Sequence, residues 1–404
     1  MTEATSRPTD RATFPPPRNC PFHAAEGHLA RREPGPLTKT TLVSGQEAWV
    51  ASRHADVRAM LTDPAFSANR VDPNFPQLAK RRLPRKETPR TLQFMDGPEH
   101  ARARRAVVGE FTVRRLAPLK PRIQQIVDDH VDAMLAGPRP ADLVAAFALP
   151  VPSLVICELL GAPYHDHEYF QARTKTLLSR TGGIEAVRAA IEDLRSYMDG
   201  LVTAKEANPG DDLIGRQIRQ HRANGTEDHG ELVDMALLLL MTGHETTANM
   251  ISLGTVALLQ RPEQAERLRR DPARTPDAVE ELLRHLTIVE WISSRVAVAD
   301  TELAGVPIMA GEGVVTMNLA ANHDPAVFAE PDDVDFGRGA RNHLAFGYGA
   351  HSCLGQNLAR LELQVVFDTL LARIPTLRVA VPLEELPIRD DAASYGLDAL
   401  PVDW

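Results

Sequence analysis

One cysteine, Cys353, lies in a glycine-containing turn directly before a helical pattern. The turn is the segment Phe346-Gly347-Tyr348-Gly349-Ala350-His351-Ser352-Cys353-Leu354-Gly355. Apolar residues then recur from Leu354 to Val365 with helical spacing, with Arg360 and Glu362 between them, which predicts an amphipathic helix. Free N–H groups and the helix dipole stabilise a thiolate at a helix N-terminus, so this sulfur could bind a metal.

The same cysteine has simpler interpretations. A small buried thiol at a turn is the ordinary role of a free cysteine in a reduced protein. A hydrolase nucleophile would need an activating base, and His351 is close in sequence, but no oxyanion hole or orienting acid accompanies it. The chain has three cysteines and no C-x-x-C spacing, which argues against a zinc site and a disulfide framework.

A polar island interrupts a long apolar helical pattern. The pattern runs from Leu232 to Gln260 and predicts one continuous buried helix of about 43 Å, ended by Pro262. The island in its middle reads Thr242-Gly243-His244-Glu245-Thr246-Thr247. A carboxyl and a hydroxyl group there could deliver protons to a reactant in a water-poor site. The alternative is a helix kink with His244 and Glu245 in solvent.

Two further helical segments carry charged residues on one face. In the segment that begins at Asp96, His100 and Arg104 are four residues apart and could bind carboxylates; a solvated basic face is the alternative. A second helix is predicted from Thr275 as N-cap and Pro276 at its first position. Its Glu281 and Arg284 share a face, and a surface ion pair is the alternative.

Composition and patterning predict the organisation of the chain. Its 404 residues are 43% hydrophobic and 25% charged, with a net charge of −9 that argues against nucleic-acid binding. The longest aliphatic run, Ala236 to Met241, is too short to span a membrane, and no apolar leader is present. We expect a disordered N-terminus over residues 1–17 and a single domain over residues 18–404, in a reducing cytoplasm.

Helix-forming segments dominate, so the predicted fold is mainly α. A strand is predicted near Glu47 to Ser52, and short strands between Arg295 and Ile308 are broken by the turn around Gly305-Val306-Pro307. The span from Asp63 to Pro98 reads as loops with short helical pieces. Basic residues in this span led to the hypothesis that it favours anionic substrates; they are Lys80, Arg81, Arg82, Arg85, Lys86 and Arg90.

These segments together resemble the cytochrome P450 family over nearly the whole chain. Phe346, Gly349, Cys353 and Gly355 occupy the four positions of that family's haem-binding loop. The resemblance implies haem b as cofactor, with Cys353 as the thiolate ligand of the iron. It also implies a large helical domain and a small β-rich lobe, with haem between the long central helix and the Cys353 loop.

The resemblance assigns roles to other residues. Gly243, Glu245 and Thr246 match the oxygen-activation motif, while Thr242 replaces a smaller residue and is expected to narrow the pocket. The residues expected to hold the haem propionates are His100, Arg104, Arg295 and His351. A structural cluster of Glu281, Arg284 and Arg338 is expected behind the haem loop. The residues expected to line the substrate pocket are Leu238, Met241, Thr242, Trp291 and Ile292.

A function follows from this resemblance. It implies a monooxygenase that inserts one atom of O₂ into a small organic substrate by hydroxylation or epoxidation, in secondary-metabolite (antibiotic) tailoring or oxidation of foreign compounds. Electrons would come from NAD(P)H through a ferredoxin reductase and a ferredoxin, with Arg102, Arg105 and Arg360 as docking residues. The protein is expected to be a monomer that binds neither nucleic acid nor membrane. Two alternatives are a peroxide-driven peroxygenase and a non-catalytic haem sensor.

Overall fold

Helices dominate the part of the chain that the computed structural model describes, which confirms the mainly α prediction. That part comprises Phe14, Arg18, Gly35 and residues 37–79, 91–226, 228–290, 293–389 and 392–404. Its α-helices are α1 (His54–Thr62), α2 (Gly97–Val107), α3 (Val113–Leu116), α4 (Lys120–Ala136), α5 (Pro150–Leu160), α6 (His167–Leu178), α7 (Ile184–Ala207), α8 (Leu213–Asn224), α9 (His229–Gly243), α10 (Glu245–Leu259), α11 (Pro262–Arg270), α12 (Thr275–Leu286), α13 (Asn318–Asn322) and α14 (Gln356–Arg373).

Short strands form four small sheets within the same ranges. They are β1 (Leu37–Thr41), β2 (Glu47–Ala51), β3 (Phe66–Ser67), β4 (Ala141–Asp142), β5 (Arg295–Ala297), β6 (Thr301–Leu303), β7 (Val306–Ile308), β8 (Gly313–Thr316), β9 (Arg378–Val379), β10 (Ile388–Arg389), β11 (Gly396–Leu397) and β12 (Pro401–Asp403). The largest sheet has the order β1-β2-β8-β5-β3, and only its β2–β8 pair is parallel. The others are β4-β12-β9, β6-β7 and β10-β11.

The hydrophobic core consists of one large cluster among the helices and two small clusters at the β-rich lobe. The main cluster of buried side chains joins helices α4 to α12 with α14. Two smaller clusters lie around the five-stranded sheet and include Val57 and Met60 of α1. The buried ring of Phe14 belongs to one of these smaller clusters, and its chain pairs with Leu42.

The strand predictions are confirmed with small shifts. β2 ends one residue before the predicted Ser52, and β5, β6 and β7 lie between Arg295 and Ile308. The turn between β6 and β7 is made by Ala304 and Gly305, both with positive φ, rather than by Gly305 to Pro307. Within residues 63–79 and 91–98, the described chain has one two-residue strand and one 3₁₀ turn before α2, as predicted.

Two predicted helix features are wrong. The expected single helix from Leu232 to Gln260 is divided into α9 and α10, because His244 leaves helical geometry at φ −115° and ψ −48°. At this break Thr242 Oγ1 and His244 Nδ1 bond to the carbonyls of Leu238 and Leu240, at 2.8 Å each. Side-chain bonds of this kind bend helices.

Thr275 is also not an N-cap. It is the first residue of α12, and its hydroxyl donates a 2.5 Å hydrogen bond to Asp368 instead of accepting one from its own helix. The prediction assumed that the Thr275 hydroxyl bonds to a backbone N–H of its own helix, whereas in the fold it links α12 to α14.

Some predictions fall outside the described residues. These are the pocket residues Trp291 and Ile292, the basic residues from Lys80 to Arg90, and all of residues 1–17 except Phe14.

Candidate active site

The Cys353 loop is closed by its own backbone and held against α1. The Cys353 N–H donates to the carbonyl of Phe346 at 2.8 Å, and the Ser352 N–H donates to Gly349 at 3.0 Å. Gly349 has a φ of +71°, and a Cβ there would lie 2.8 Å from the carbonyl oxygen of Leu61 in α1. Glycine at 349 is therefore required by the turn and by α1, not by a bound macrocycle.

Gly355 differs from Gly349. Its φ is −82°, and a Cβ built there would meet no atom within 4 Å among the described residues. Packing within the described protein gives no reason for glycine at this position. A flat group lying on the loop would supply one, so Gly355 fits the haem that the resemblance implies.

Cys353 lies three residues before α14, which begins at Gln356 rather than directly after the cysteine. Its side chain is exposed to the space in front of the loop. The pKa of the thiol is raised overall, because removal from bulk water outweighs the N–H groups of Gly355 and Gln356 and the positive charges of Arg104 and Arg360, which lower it. Donors and cations aimed at a sulfur are what a metal-bound thiolate requires.

Three of the four predicted propionate residues meet beside this loop. The rings of His100 and His351 stack with centroids 4.1 Å apart. Arg104 donates to the Ser352 carbonyl at 2.7 Å, so α2 is tied to the residue before the cysteine. Burial and the charges of His351 and Arg104 lower the pKa of His100 to about 4, and its buried Nε2 has no partner among the described residues. A neutral imidazole N–H is thus free to donate to an anion.

Arg295, the fourth, lies on β5. It is buried, with 6% of its surface exposed, and its Nη1 donates a hydrogen bond to the neighbouring Ser294 carbonyl at 2.9 Å. Burial lowers its pKa to about 10, and the negative charge of Asp96 opposes this shift. A buried guanidinium without an ion pair in the described residues is costly, and a haem propionate would supply the missing charge.

Asp96 also belongs to this cluster, although no role was predicted for it. Ser67 Oγ donates to it at 2.5 Å, Ala68 N–H donates at 3.0 Å, and His351 Nε2 lies 3.8 Å away. Burial acts to raise the pKa of Asp96, but the bonds from His351, Ser67 and Ala68 outweigh it and hold the pKa at about 2. Asp96 therefore orients His351 as a carboxylate.

The polar island of the central helices divides its residues between two environments. Thr242 is exposed, and Met241, Gly243 and Thr246 are partly exposed, in the middle of otherwise buried helices. Leu238, one turn earlier, is buried. Thr246 Oγ1 donates to the Thr242 carbonyl at 3.0 Å. Thr242 and Thr246 thus present polar groups to a space inside the helical domain, as expected for a distal pocket.

Glu245 and His244 lie in the interior, so the alternative with both in solvent is wrong. Glu245 is 5% exposed and forms a 2.9 Å ion pair with Arg389 of β10. Burial raises the pKa of Glu245, and Arg389 and Lys175 act against that rise. Asp398 lies 3.8 Å from Arg389 and 3.0 Å from Lys175, so charged groups connect the buried carboxyl to the surface.

His244 packs against helix α6. Its ring meets Phe170 of α6 edge to face, with centroids 5.5 Å apart, and burial lowers its pKa to about 4. It is therefore a neutral packing residue at neutral pH.

Gly243 has a packing reason of its own. A Cβ there would lie 2.7 Å from Ile156 Cδ1 on α5. The absent side chain therefore allows α5 and α9 to approach each other. The expected role of Gly243 in a groove for O₂ stays a prediction.

The Glu281–Arg284 pair is fully buried, so the surface-pair alternative is wrong. Arg284 Nε lies 2.8 Å from Glu281, and Arg338 lies 3.1 Å from the other carboxylate oxygen. Arg284 also donates to the carbonyls of Asn322 and Pro331 at 2.8 Å each. This cluster ties α12 to the segment that leads into the Cys353 loop, which confirms its structural role.

One proposed docking residue is engaged elsewhere. Arg360 forms a two-point ion pair with Glu280, at 2.5 and 3.0 Å, and lies 4.7 Å from the centre of the Phe346 ring. It supports the loop from behind and is not a free surface charge. Arg102 and Arg105 of α2 are exposed.

Two searches of the described residues bear on other classes of site. No group of three His, Cys, Asp or Glu side chains is arranged to hold a metal ion there. In the same residues, no helix has the length and apolar character needed to cross a membrane.

Comparisons with known proteins agree with this geometry. The family model described as cytochrome P450 matches residues 187–387. A vitamin D3 dihydroxylase of Streptomyces griseolus is 47% identical over 404 residues, covering 100% of this chain and 99% of the relative. The pentalenic acid synthase of Streptomyces avermitilis is 46% identical, covering 100% of both chains.

Solved structures give the same result. Cytochrome P450 MoxA from Nonomuraea recticatena is 53% identical with a TM-score of 0.90, covering 97% of this chain and 98% of that one. The mycinamicin VIII C21 methyl hydroxylase MycCI from Micromonospora griseorubida, bound to mycinamicin VIII, is 38% identical with a TM-score of 0.92, covering 97% and 100%.

Proposed function

We propose that this chain inserts one atom of O₂ into an apolar C–H bond or alkene of a small organic substrate. The chain belongs to the cytochrome P450 family and is a monooxygenase of that family. The observation that carries the proposal is the Cys353 loop, whose sulfur is open to the space in front of it and faces backbone donors and cations. We further infer that the protein works as a monomer in a reducing cytoplasm.

The residues present fit a haem. Cys353 would be its thiolate ligand, Gly355 would lie against its face, and His100, Arg104, Arg295 and His351 would hold its propionates. When bound, haem with a thiolate ligand supplies the iron chemistry that cleaves the O–O bond. The assignment of His100, Arg104 and Arg295 is supported by the fact that none of the three forms an ion pair with a carboxylate among the described residues, whereas His351 faces Asp96.

Proton delivery is assigned to Glu245 and Thr246. Burial raises the pKa of Glu245, so its carboxyl group holds a proton more readily than a solvated glutamate does and can release it in a water-poor site. Arg389, Asp398 and Lys175 would connect that carboxyl to solvent. The Thr246 hydroxyl would pass the proton on by exchanging its bond to the Thr242 carbonyl for one to the reactant.

Electrons would come from NAD(P)H through a ferredoxin reductase and a ferredoxin. Arg102 and Arg105 are exposed on the helix whose Arg104 is bonded to the residue before Cys353, which supports docking on this face. Substrates of secondary metabolism or foreign origin are supported by the names of the relatives, which include a vitamin D3 dihydroxylase and a mycinamicin VIII hydroxylase. Hydroxylation is therefore the proposed reaction.

The test is the absorption spectrum of the reduced, CO-bound protein. We expect the red-shifted Soret band of thiolate-ligated iron in the wild type and its loss in Cys353→Ala. Cys157→Ala is the matched control, because Cys157 is buried and its pKa is raised to about 12 by burial, which leaves an inert thiol. An unchanged band in Cys353→Ala would exclude the proposed ligand.

A second experiment separates the monooxygenase from the two alternatives. Turnover of a substrate found by spectral-shift screening is measured with reduced ferredoxin and O₂, and separately with peroxide. Faster turnover with peroxide would favour a peroxygenase, and binding without any turnover would favour a sensor. The Glu245–Thr246 arrangement supports faster turnover with reduced ferredoxin and O₂, since proton delivery is needed for O₂ whereas peroxide already carries its protons.

A further inference from the structure

Arg70, which has no part in the proposed haem site, lies beside Arg295. β3 and β5 are antiparallel, with Ser67 opposite Val296. Continuing that register places Ala68 opposite Arg295, and Arg70 follows two residues later. The two guanidiniums are near enough that the charge of Arg295 bears on Arg70: burial, and then Arg295, lower the pKa of Arg70 to about 10.

Arg70 is held by aromatic rings rather than by carboxylates. Its guanidinium carbon lies 4.7 Å from the centre of the Phe94 ring and 5.8 Å from that of Phe75. Among the described residues it forms no ion pair, and the same is true of Arg295. Ring contacts fix the position of a guanidinium but leave its N–H donors unsatisfied.

The surrounding charges do not balance. The carboxylate whose charge acts on Arg295 is that of Asp96, which already accepts hydrogen bonds from Ser67 Oγ and Ala68 N–H and lies 3.8 Å from His351 Nε2. Arg295 is buried, whereas Arg70 and Arg104 are partly exposed. A buried guanidinium is stable only when an anion approaches it, and the like charge of Arg70 beside it adds to that need. We infer that the anion comes from a bound molecule.

We propose that Arg70 is a carboxylate-binding residue that acts together with Arg295. The carboxylate is either a haem propionate or an acid group on the substrate, since the planar fork of an arginine fits both in the same way. The proposal rests on the proposed haem site and adds to it a residue that lies outside the loop, α2 and β5. The hypothesis that the protein prefers anionic substrates was based on basic residues outside the described part of the chain. Arg70 is a described residue that could bind such substrates.

The experiment compares wild type, Arg70→Gln and Arg70→Lys, with Arg139→Gln as the matched control. Arg139 also lies over an aromatic ring, that of Trp404 at 4.7 Å, two residues before β4; unlike Arg70, which has none among the described residues, it forms an ion pair, with Asp403 at 2.6 Å. The CO spectrum of each protein is recorded first. A wild type without the thiolate band would refute the proposed function, whereas the results below refute or support the role of Arg70 alone.

Haem loss to excess apomyoglobin and the midpoint potential of the iron test the propionate. If Arg70 binds it, Arg70→Gln loses haem about tenfold faster, since a charge-assisted hydrogen bond disappears. Its potential falls because a positive charge near the iron is lost, and Arg70→Lys recovers much of both effects. Arg139→Gln behaves as wild type.

Titration with dodecanoate and methyl dodecanoate, followed by the Soret shift, tests the substrate. If Arg70 binds its acid group, wild type prefers the acid, and Arg70→Gln weakens the acid about tenfold but not the ester. The proposal is overturned if Arg70→Gln loses haem at the wild-type rate and the substrate titration also fails. That titration fails if wild type does not prefer the acid, or if the preference for the acid persists in Arg70→Gln. Should Arg70→Gln not fold, Arg70→Met takes its place, because it keeps an apolar stem against the rings of Phe94 and Phe75 but has no charge. Wild-type haem loss together with wild-type affinity for the acid in Arg70→Met overturns the proposal.

Discussion

Replacing Arg389 by glutamine removes the cation that faces the buried Glu245. Arg389 Nη2 lies 2.9 Å from that carboxylate and also donates to Asn249 at 3.0 Å. A Glu245→Gln variant and the double variant complete a cycle in which the bond to Asn249 cancels. The coupling free energy that remains belongs to the Glu245–Arg389 pair.

Protonation limits that coupling free energy. Breaking a buried pair costs about 3–5 kcal/mol when the remaining charge stays ionised. Glu245 can instead take up a proton, and from its usual pKa of 4.5 this costs about 3.4 kcal/mol at pH 7, at about 1.4 kcal/mol for each pH unit. We therefore expect a coupling of about 3 kcal/mol at pH 7.

The sign of the pH dependence follows from the raised pKa. Above pH 4.5 the folded Arg389→Gln protein binds more protons at Glu245 than the unfolded chain does, so its stability falls as the pH rises. Urea unfolding followed by circular dichroism between about pH 5 and about pH 7 measures this change. A coupling that is zero, or that stays constant over this range, would refute the reasoning.

Three further predictions concern the central helices and the scaffold. Gly243→Ala should destabilise the fold by about 1–3 kcal/mol in the same urea assay, because the added Cβ would contact Ile156, and Ile156→Ala should rescue it. Gly200→Ala is the control: a Cβ there meets nothing within 4 Å, so this variant should be neutral or stabilising. Arg284→Gln should cost about 3–5 kcal/mol, because it leaves Glu281 buried without its nearest cation, and soluble protein of normal melting temperature would contradict this. Thr246→Val should divert electrons from product to peroxide, measured as peroxide formed per NADPH consumed; an unchanged ratio would remove the hydroxyl from proton delivery.

Local patterns made the main features of the site predictable. The Cys353 loop, the Glu281–Arg284 pair and the position of Glu245 each depend on a few consecutive residues whose spacing decides which face they share. Such features survive in the fold because side chains three or four residues apart on a helix are neighbours whatever lies around them.

Long-range partners were not predictable in the same way. The ion pair of Glu245 with Arg389 joins positions from two distant segments, and the bonds of Asp96 to Ser67 and Ala68 depend on where β3 meets α2. Nothing in the local sequence of either partner specifies the other. These contacts are set by the packing of whole helices and strands.

Buried polar groups were another source of error. Glu362 falls between apolar residues of the α14 pattern and would be expected on its polar face, yet it is 1% exposed, and burial raises its pKa well above the usual range. The apolar pattern likewise predicted one unbroken helix, but the helix is divided at the buried residue His244. Hydrophobic patterning cannot show where a polar side chain is covered by a neighbouring element.

The break at His244 divides the central helices between two sets of neighbours. Both halves contact α5, but only α9 packs on α7 and α8, and only α10 packs on α11, α12 and α14, the helix that follows the cysteine. Because the joint is not helical, each half can follow its own neighbours. Substitutions in α7 or α8 therefore need not disturb the packing of α10 on α14, so the two ends of the central helices can vary in sequence separately.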